Sequence, residues 1–151
     1  MADFSEDLGR LVTQAAQRWQ LQASRVLRPL GLTYGQFQLL ASLERHPGFS
    51  QAAVGRQAGM DAMTASVALR NLERRRLVAR RPSGADSRAL LLSMTETGAA
   101  ALAKALPALA AAERAFFGPV GAARPELAAV LAGLIGQRAR VRVAMGRNAP
   151  G

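Results

Sequence analysis

The sequence predicts a mainly α-helical fold with one small β-hairpin, and three observations lead to this fold class. Apolar residues recur at three- and four-residue steps from Ser5 to Leu30 and again near the C-terminus, as they do on one face of a helix. In the middle of the chain, two helical segments are separated by a short turn at Gly59. Two strand-like runs around Pro82 and Gly84 follow directly. Helix, turn, helix and hairpin in this order predict a winged helix-turn-helix.

The first helix carries a long apolar stripe, and Pro29 and Gly31 end it. The stripe consists of Leu8, Leu11, Val12, Ala15, Ala16, Trp19, Val26 and Leu27. This helix is longer than a compact three-helix core needs, so we expect it to pack against something else, such as a second subunit.

Each of the next three helices begins with a residue suited to capping: Thr33, Ser50 and Asp61. The second helix closes at His46-Pro47-Gly48, and small residues in the third permit close packing against the fourth. The fourth runs to about Arg75. The apolar residues expected to be buried are Phe37, Leu39, Leu40 and Leu43 in the second helix, and some combination of Val67, Leu69 and Leu72 in the fourth.

The runs LVARR and RALLLSM form the predicted hairpin, with Leu90, Leu92 and Met94 facing the core. Thr95 caps a fifth helix to about Phe117, which could bend at Pro107, and a sixth starts near Arg124. We therefore predict a winged domain over 33–95, dimerisation helices over 1–32 and 96–146, and a frayed tail over 147–151. The alternative for the terminal helices is that they complete the core of a monomer.

Composition favours an anionic partner. The 151 residues carry a net charge of +10 and a pI near 11.8, and between Arg70 and Arg88 seven arginines face only Glu73 and Asp86. Nucleic acid and a membrane surface both fit the total charge, but its concentration beside the predicted helix-turn-helix favours DNA. No apolar run approaches the ~18 residues of a membrane span, and the N-terminus does not resemble a secretory signal, so a cytoplasmic location is expected.

The side-chain inventory argues against an enzyme. Cysteine is absent, and the single histidine, His46, is far in sequence from any arranged serine and aspartate. No glycine-rich phosphate loop follows a strand. We expect no catalytic residues, no metal site and no cofactor.

The order of elements and two strings resemble the MarR family of bacterial winged-helix regulators, from about Leu8 to Arg142. The strings are LRPLGLTYGQFQLLASLERHPGFSQAAVGRQAG and LERRRLVARRPSGADSRALLLSMTETG. In the second, Asp86 and Arg88, followed by Leu90, Leu92, Thr95 and Gly98, match the family's most recognisable signature. Three residues depart from the family pattern. Arg76 replaces a glycine that usually ends the recognition helix, Val67 replaces a polar or basic residue, and Gly35 replaces a proline.

The resemblance implies a homodimer joined through the first, fifth and sixth helices, with two winged domains reading a pseudo-palindromic operator in double-stranded DNA. It also implies repression of a neighbouring operon and release by a small aromatic or phenolic effector. The alternatives are a DNA-coating or architectural protein without sequence preference, and a small-molecule or protein-interaction module whose basic face serves only solubility.

The DNA-binding residues are predicted in three groups. The exposed face of the fourth helix offers Met63, Thr64, Ser66 and Arg70 to the major groove, with Arg70 the first candidate for a base contact. Arg88, matching the family's wing arginine, is expected in the minor groove, where Asp86 orients it or pairs with Arg80 or Arg81. The candidates for phosphate contact are Arg74, Arg75, Arg80, Arg81, Ser50 and Gln51; capping alone also accounts for Ser50.

Trp19, Phe37 and His46 are the candidate effector-binding residues, because in such a fold a small molecule can bind between the dimer helices and the winged domain. Packing of Trp19 and capping by His46 are the competing interpretations.

Overall fold

The computed structural model describes residues 7–84 and 90–136. In that part of the chain the elements are α1 (Leu8–Leu27), α2 (Tyr34–Arg45), α3 (Gln51–Gln57), α4 (Ala62–Arg74), β1 (Val78–Pro82), β2 (Leu90–Met94), α5 (Glu96–Phe116) and α6 (Arg124–Leu134), with 3-10 turns at Arg28–Leu30 and Gly118–Ala123. The chain divides into two compact units, of which the first ends at Phe116 and the second begins at Phe117. The predicted fold class is confirmed. The predicted tail, 147–151, lies outside the described residues, as do the predicted wing residues Asp86 and Arg88.

Only the C-terminal half of α1 packs within its own unit. Ala23 and Leu27 are fully buried, whereas every residue from Asp7 to Arg18 is exposed. The predicted apolar stripe therefore continues over about three helical turns that lie exposed.

The helix-turn-helix is built as the caps predict. The hydroxyl of Thr33 accepts from the backbone N–H of Gln36 at 3.1 Å, and that of Ser50 accepts from Ala53 N–H at 3.3 Å. Gly55 lets α3 approach α4, because a Cβ at this position would lie only 2.9 Å from the Cβ of Ala65. The largest fully buried side chains in this core are Leu27, Leu39, Leu40, Val54, Leu69, Leu72 and Leu92.

Two of the three α4 residues from which the buried combination was predicted lie in the core. Leu69 and Leu72 are fully buried, but Val67 is 57% exposed. A helix buries one stripe, and here Ala65, Leu69 and Leu72 form it, which leaves Val67 on the opposite side.

The hairpin is antiparallel, with a register that runs from Val78 opposite Met94 to Pro82 opposite Leu90. Its second strand is also held to the start of α3, because Leu92 N–H donates to the Phe49 carbonyl at 3.1 Å. Of the second-strand residues predicted to face the core, Leu92 is buried and Met94 half-buried, but Leu90 is 46% exposed. Leu90 pairs at the end of the hairpin farthest from α5, which places it beyond the core.

The junction between α4, the hairpin and α5 depends on two backbone features. Arg76 has a positive φ of 58° and ends α4 in the left-handed conformation. Thr95 begins α5 by accepting from Gly98 N–H at 3.0 Å, while its own hydroxyl donates to the Arg76 carbonyl at 2.6 Å. Gly98 permits this close packing, because a Cβ there would overlap the Leu77 carbonyl oxygen.

The fifth helix runs unbroken through Pro107 and buries Leu102, Ala105, Leu109 and Ala112. In the second unit, α6 begins at Arg124 as predicted. Three of its large apolar residues, Val130, Leu131 and Leu134, are exposed, and so is its C-cap residue Ile135.

Candidate nucleic-acid interface and aromatic cleft

The outer face of α4 is a continuous exposed stripe with mixed chemistry. Met63, Val67, Arg70 and Arg74 follow one another at steps of four, three and four residues, and all four are exposed. Ser66, another predicted contact, is half-buried beside this stripe. The opposite face of α4 packs in the core, so the helix holds this stripe rigidly. An α-helix has about the diameter that a major groove admits.

Thr64 is engaged at the N-terminus of α4. Its backbone N–H donates to one carboxylate oxygen of Asp61 at 2.9 Å, and its hydroxyl donates to the other at 2.6 Å. These two hydrogen bonds, the side-chain one first, hold the pKa of Asp61 below its ordinary value of 3.8. Since the hydroxyl proton is directed at Asp61, Thr64 is left with lone pairs that can accept from a base amino group.

Arg75, which follows α4 and is exposed, has a hydrogen-bonding partner within the fold. Arg75 reaches back toward α2, where its guanidinium Nη1 lies 3.4 Å from Gln36 Oε1. The amide nitrogen of Gln36 donates to Asn71 Oδ1 at 2.9 Å, and its oxygen accepts from Thr33 N–H at 3.1 Å. Gln36 is buried and thereby connects the start of α2 with two residues near the end of α4.

Arg80 on β1 forms an ion pair with Glu73 on α4, with Nε and Oε1 2.7 Å apart. Both side chains are about one-quarter exposed, at 27% and 26%, so the pair adds little to the free energy of unfolding. Its main effect is to hold the hairpin in position against α4. Arg81 on the same strand is exposed. The predicted roles of Asp86 and Arg88 fall on residues outside the described part of the chain.

Ser50 and Gln51 lie at the start of α3. The Ser50 side chain caps this helix, and its backbone forms an isolated bridge with Leu91 of the hairpin. Capping therefore accounts for Ser50, and its exposed hydroxyl remains next to the N-terminal N–H groups of α3.

Aromatic side chains bring α1, α2 and α5 together at a separate cleft. Trp19 Nε1 donates to the Tyr34 hydroxyl at 3.0 Å, and Tyr34 and Phe37 are nearly parallel, with ring centroids 6.5 Å apart. These three residues line an open cleft of about 300 Å³ together with Arg45, Leu109 and Glu113. His46 is not among the lining residues, because its ring stacks on Phe49 at 4.6 Å.

The structural roles of Gln36 and Asn71 were not predicted from the sequence. Gln36 stands three residues after Thr33, and this capping-box spacing could have identified its bond to the Thr33 backbone. Its partner Asn71 is 35 residues away, and nothing in the local pattern connects the two.

The described helices include none with an apolar stretch long enough to cross a bilayer.

Comparison with known proteins gives the same assignment as the fold. Residues 30–89 match the MarR family. The chain is 33% identical to the HTH-type transcriptional repressor Rv2887 of Mycobacterium tuberculosis over 106 residues, which is 70% of this chain and 76% of that protein. The chain belongs to the MarR family. It is a winged-helix transcriptional repressor of MarR type, and the family and its matched relatives are regulators, not enzymes.

Solved structures of MarR-family proteins extend the likeness to most of the chain. BpsR of Bordetella bronchiseptica, whose DNA binding is regulated by 6-hydroxynicotinic acid, has a TM-score of 0.84 at 26% identity, covering 89% of this chain and 96% of that one. The transcriptional repressor CouR, solved bound to a 23-mer DNA duplex, has a TM-score of 0.76 at 28% identity, covering 90% and 97%. This MarR-family chain therefore shares its fold with one protein solved on DNA and with another regulated by an aromatic acid.

Proposed function

We propose that this protein is a homodimeric repressor that binds a pseudo-palindromic operator near its own gene and leaves it when a small aromatic or phenolic effector binds. The observation that carries the proposal is the outer face of α4, where Arg70 and Arg74 are exposed on a helix whose other face is fixed in the core. CouR, with the same fold, is solved on duplex DNA.

In the proposed complex α4 lies in the major groove. Arg70 pairs with a guanine, and Thr64 and Ser66 contact base edges or phosphates. Arg74, Arg81, Ser50 and Gln51 contact the phosphate backbone, which positions the protein without selecting sequence. Arg88 enters the minor groove, with Asp86 shaping the turn.

The structure changes the expectation for two of the predicted phosphate contacts. Arg75 donates to Gln36 and Arg80 pairs with Glu73, so both are already engaged inside the fold. We propose that they orient α4 and the hairpin and contribute to DNA binding through that geometry and through their field.

A homodimer accounts for apolar surface in both units. Leu8, Leu11 and Val12 are exposed on α1, and Val130 and Leu134 are exposed on α6. Contiguous apolar side chains on the same helix indicate an interaction surface, unlike single exposed ones. Two copies of α4 in one dimer would read half-sites about one helical turn apart, ~34 Å.

The aromatic cleft is the proposed effector site. Trp19, Tyr34 and Phe37 provide ring faces, and the guanidinium of Arg45 can pair with a carboxylate. The regulation of BpsR by 6-hydroxynicotinic acid, an aromatic hydroxy acid, supports this class of ligand. His46 lies outside the cleft, so we assign it no direct contact.

A gel-shift titration with the DNA upstream of the protein's own gene tests the repressor proposal. The upstream fragment should bind more tightly than a random duplex of equal length, and affinity should fall steeply with salt because several phosphates are neutralised together. Arg70→Ala should weaken binding, whereas Arg25→Ala, which removes an exposed arginine of α1, should leave it nearly unchanged. Equal affinity for both duplexes at every salt concentration would favour the architectural alternative.

Trp19, the only tryptophan, reports on the effector site. Titration with a panel of aromatic hydroxy acids, starting with 6-hydroxynicotinic acid, should change its fluorescence and release the operator at the same concentrations. Phe37→Leu should weaken both responses and His46→Ala should preserve both. A fluorescence change with no effect on DNA binding would show that the cleft does not regulate.

A further inference from the structure

The outer face of α4 contains two apolar side chains in a basic setting. Val67 is 57% exposed and Met63 is 78% exposed, and both lie on the same stripe as Arg70 and Arg74. Neither belongs to the packed face of the helix, which consists of Ala65, Leu69 and Leu72.

Val67 forms a ridge on this face. One shallow groove beside it is lined by Thr33, Gln36, Met63 and Thr64, and a second, on the other side, by Arg70, Glu73 and Arg74; Val67 borders both. A β-branched residue is also a poorer helix former than Arg or Ala at an exposed position, so local helix stability does not account for it.

The surroundings limit what can cover Val67. An apolar protein surface would bury the valine but would leave Arg70 and Arg74 without anionic partners. The major groove of DNA supplies both chemistries, because phosphates line its edges and the C5-methyl groups of thymines are the apolar groups on its floor.

We propose that Val67 packs against a thymine C5-methyl group and is a specificity-determining residue of this repressor. The inference rests on the proposed function, since it requires α4 to lie in the major groove. Met63, one turn earlier, extends the same apolar contact toward the neighbouring base.

The spacing on α4 gives the position of that thymine. Arg70 follows Val67 by three positions, which is a rise of ~4.5 Å along the helix. Successive base pairs are ~3.4 Å apart. The thymine read by Val67 should therefore lie within two base pairs of the guanine read by Arg70, in each half-site.

The test removes one thymine methyl group at a time from each half-site of the DNA. A duplex is first selected from a random-sequence library by the full-length protein, and each half-site thymine is then replaced in turn by deoxyuridine, symmetrically in both half-sites. Deoxyuridine lacks only the C5-methyl group and keeps every hydrogen-bonding atom. Dissociation constants are measured by fluorescence anisotropy at one fixed salt concentration.

We expect one thymine in each half-site to matter. Loss of its methyl group should weaken wild-type binding roughly fourfold per half-site, which is about sixteenfold for the symmetric replacement that is measured. Val67→Ala should weaken binding to the thymine duplex and show no further loss on the deoxyuridine duplex. Arg70→Ala is the matched variant on the same face: it should bind more weakly but keep the full methyl dependence.

Four results would overturn the inference. If Val67→Ala keeps the methyl dependence, the thymine is read by another residue. If no thymine matters, or if Val67→Ala binds as tightly as wild type, the valine has no role in reading the operator, while the repressor proposal stands. If the library yields no preferred sequence, the proposed function fails and this inference fails with it.

Discussion

Replacing Arg76 with glycine should make this protein more stable, because Arg76 ends α4 in a backbone conformation that favours glycine. Its φ is 58°, and it is the only residue other than glycine in the described part of the chain with a positive φ. Arg76 N–H donates to Glu73 O at 2.8 Å and Leu77 N–H donates to Leu72 O at 2.9 Å, which is the Schellman pattern of helix termination.

The size of the effect follows from two opposing contributions. A residue with a Cβ costs about 1–2 kcal/mol in the left-handed conformation. Glycine relieves that cost, but it loses more backbone conformational entropy on folding, which lowers the gain in stability by about 0.4–1 kcal/mol. The free energy of unfolding should therefore rise by about 1 kcal/mol, and Tm by about 2–4 °C.

Urea denaturation of Arg76→Gly, Arg76→Asn and Arg76→Ala at one protein concentration separates backbone strain from charge. All three variants remove the same positive charge beside Arg75. Glycine should raise the midpoint most and asparagine less, since asparagine tolerates this conformation better than other residues with a side chain. Alanine keeps the strain and should raise it least. Equal midpoints for all three would show that charge repulsion, not the positive φ, determines the effect.

Three further predictions concern residues that hold α4, the hairpin and the neighbouring helices in place. Gly98→Ala should destabilise the fold by at least ~2 kcal/mol in urea, because its Cβ would overlap the Leu77 carbonyl, whereas Gly133→Ala in α6, with open space around it, should be neutral or slightly stabilising. Gln36→Leu should lower stability by about 2 kcal/mol and weaken operator binding, because it removes the bonds to both Asn71 and Arg75. Gln36→Glu loses only the donor to Asn71 and still accepts from Arg75, so it should be milder; equal loss in both would refute a positioning role for that network. Because the pKa of Asp61 is lowered in the folded state, its stabilising contribution is complete above its ordinary value of 3.8 and is lost as pH falls through the lower, folded value, so the stability difference between wild type and Asp61→Asn should disappear at the acid end of a pH series.

Local sequence signals identified most of the elements correctly. Thr33, Ser50, Asp61 and Thr95 were predicted as caps, and each accepts a backbone N–H at a helix start. Caps are readable because the donor and acceptor lie within three residues of each other. Helix boundaries followed to within a few residues in the part of the chain that the structure describes.

The same signals left the outcome open, or predicted it wrongly, where it depended on distant packing. Val67 and Leu69 look alike as apolar residues of a helical repeat, but α4 buries only one stripe, and the positions of α2 and α3 decide which one. Leu90 is two residues before Leu92 and so lies on the same face of the strand, but it pairs at the end of the hairpin that extends beyond the core. Arg75 and Arg80 look like any other arginine of the basic cluster until Gln36 and Glu73 are brought within hydrogen-bonding distance.

By itself, the sequence determined the fold class, the family resemblance and the location of the basic segment, because periodicity, capping and charge are properties of neighbouring residues. Only the tertiary structure decided which side chains of that segment face outward, since this depends on contacts between residues far apart in the chain. It left Val67, Arg70 and Arg74 on the open face of α4 and turned Arg75 and Arg80 to structural partners. It also brought Trp19 and Phe37 into one cleft and kept His46 out of it.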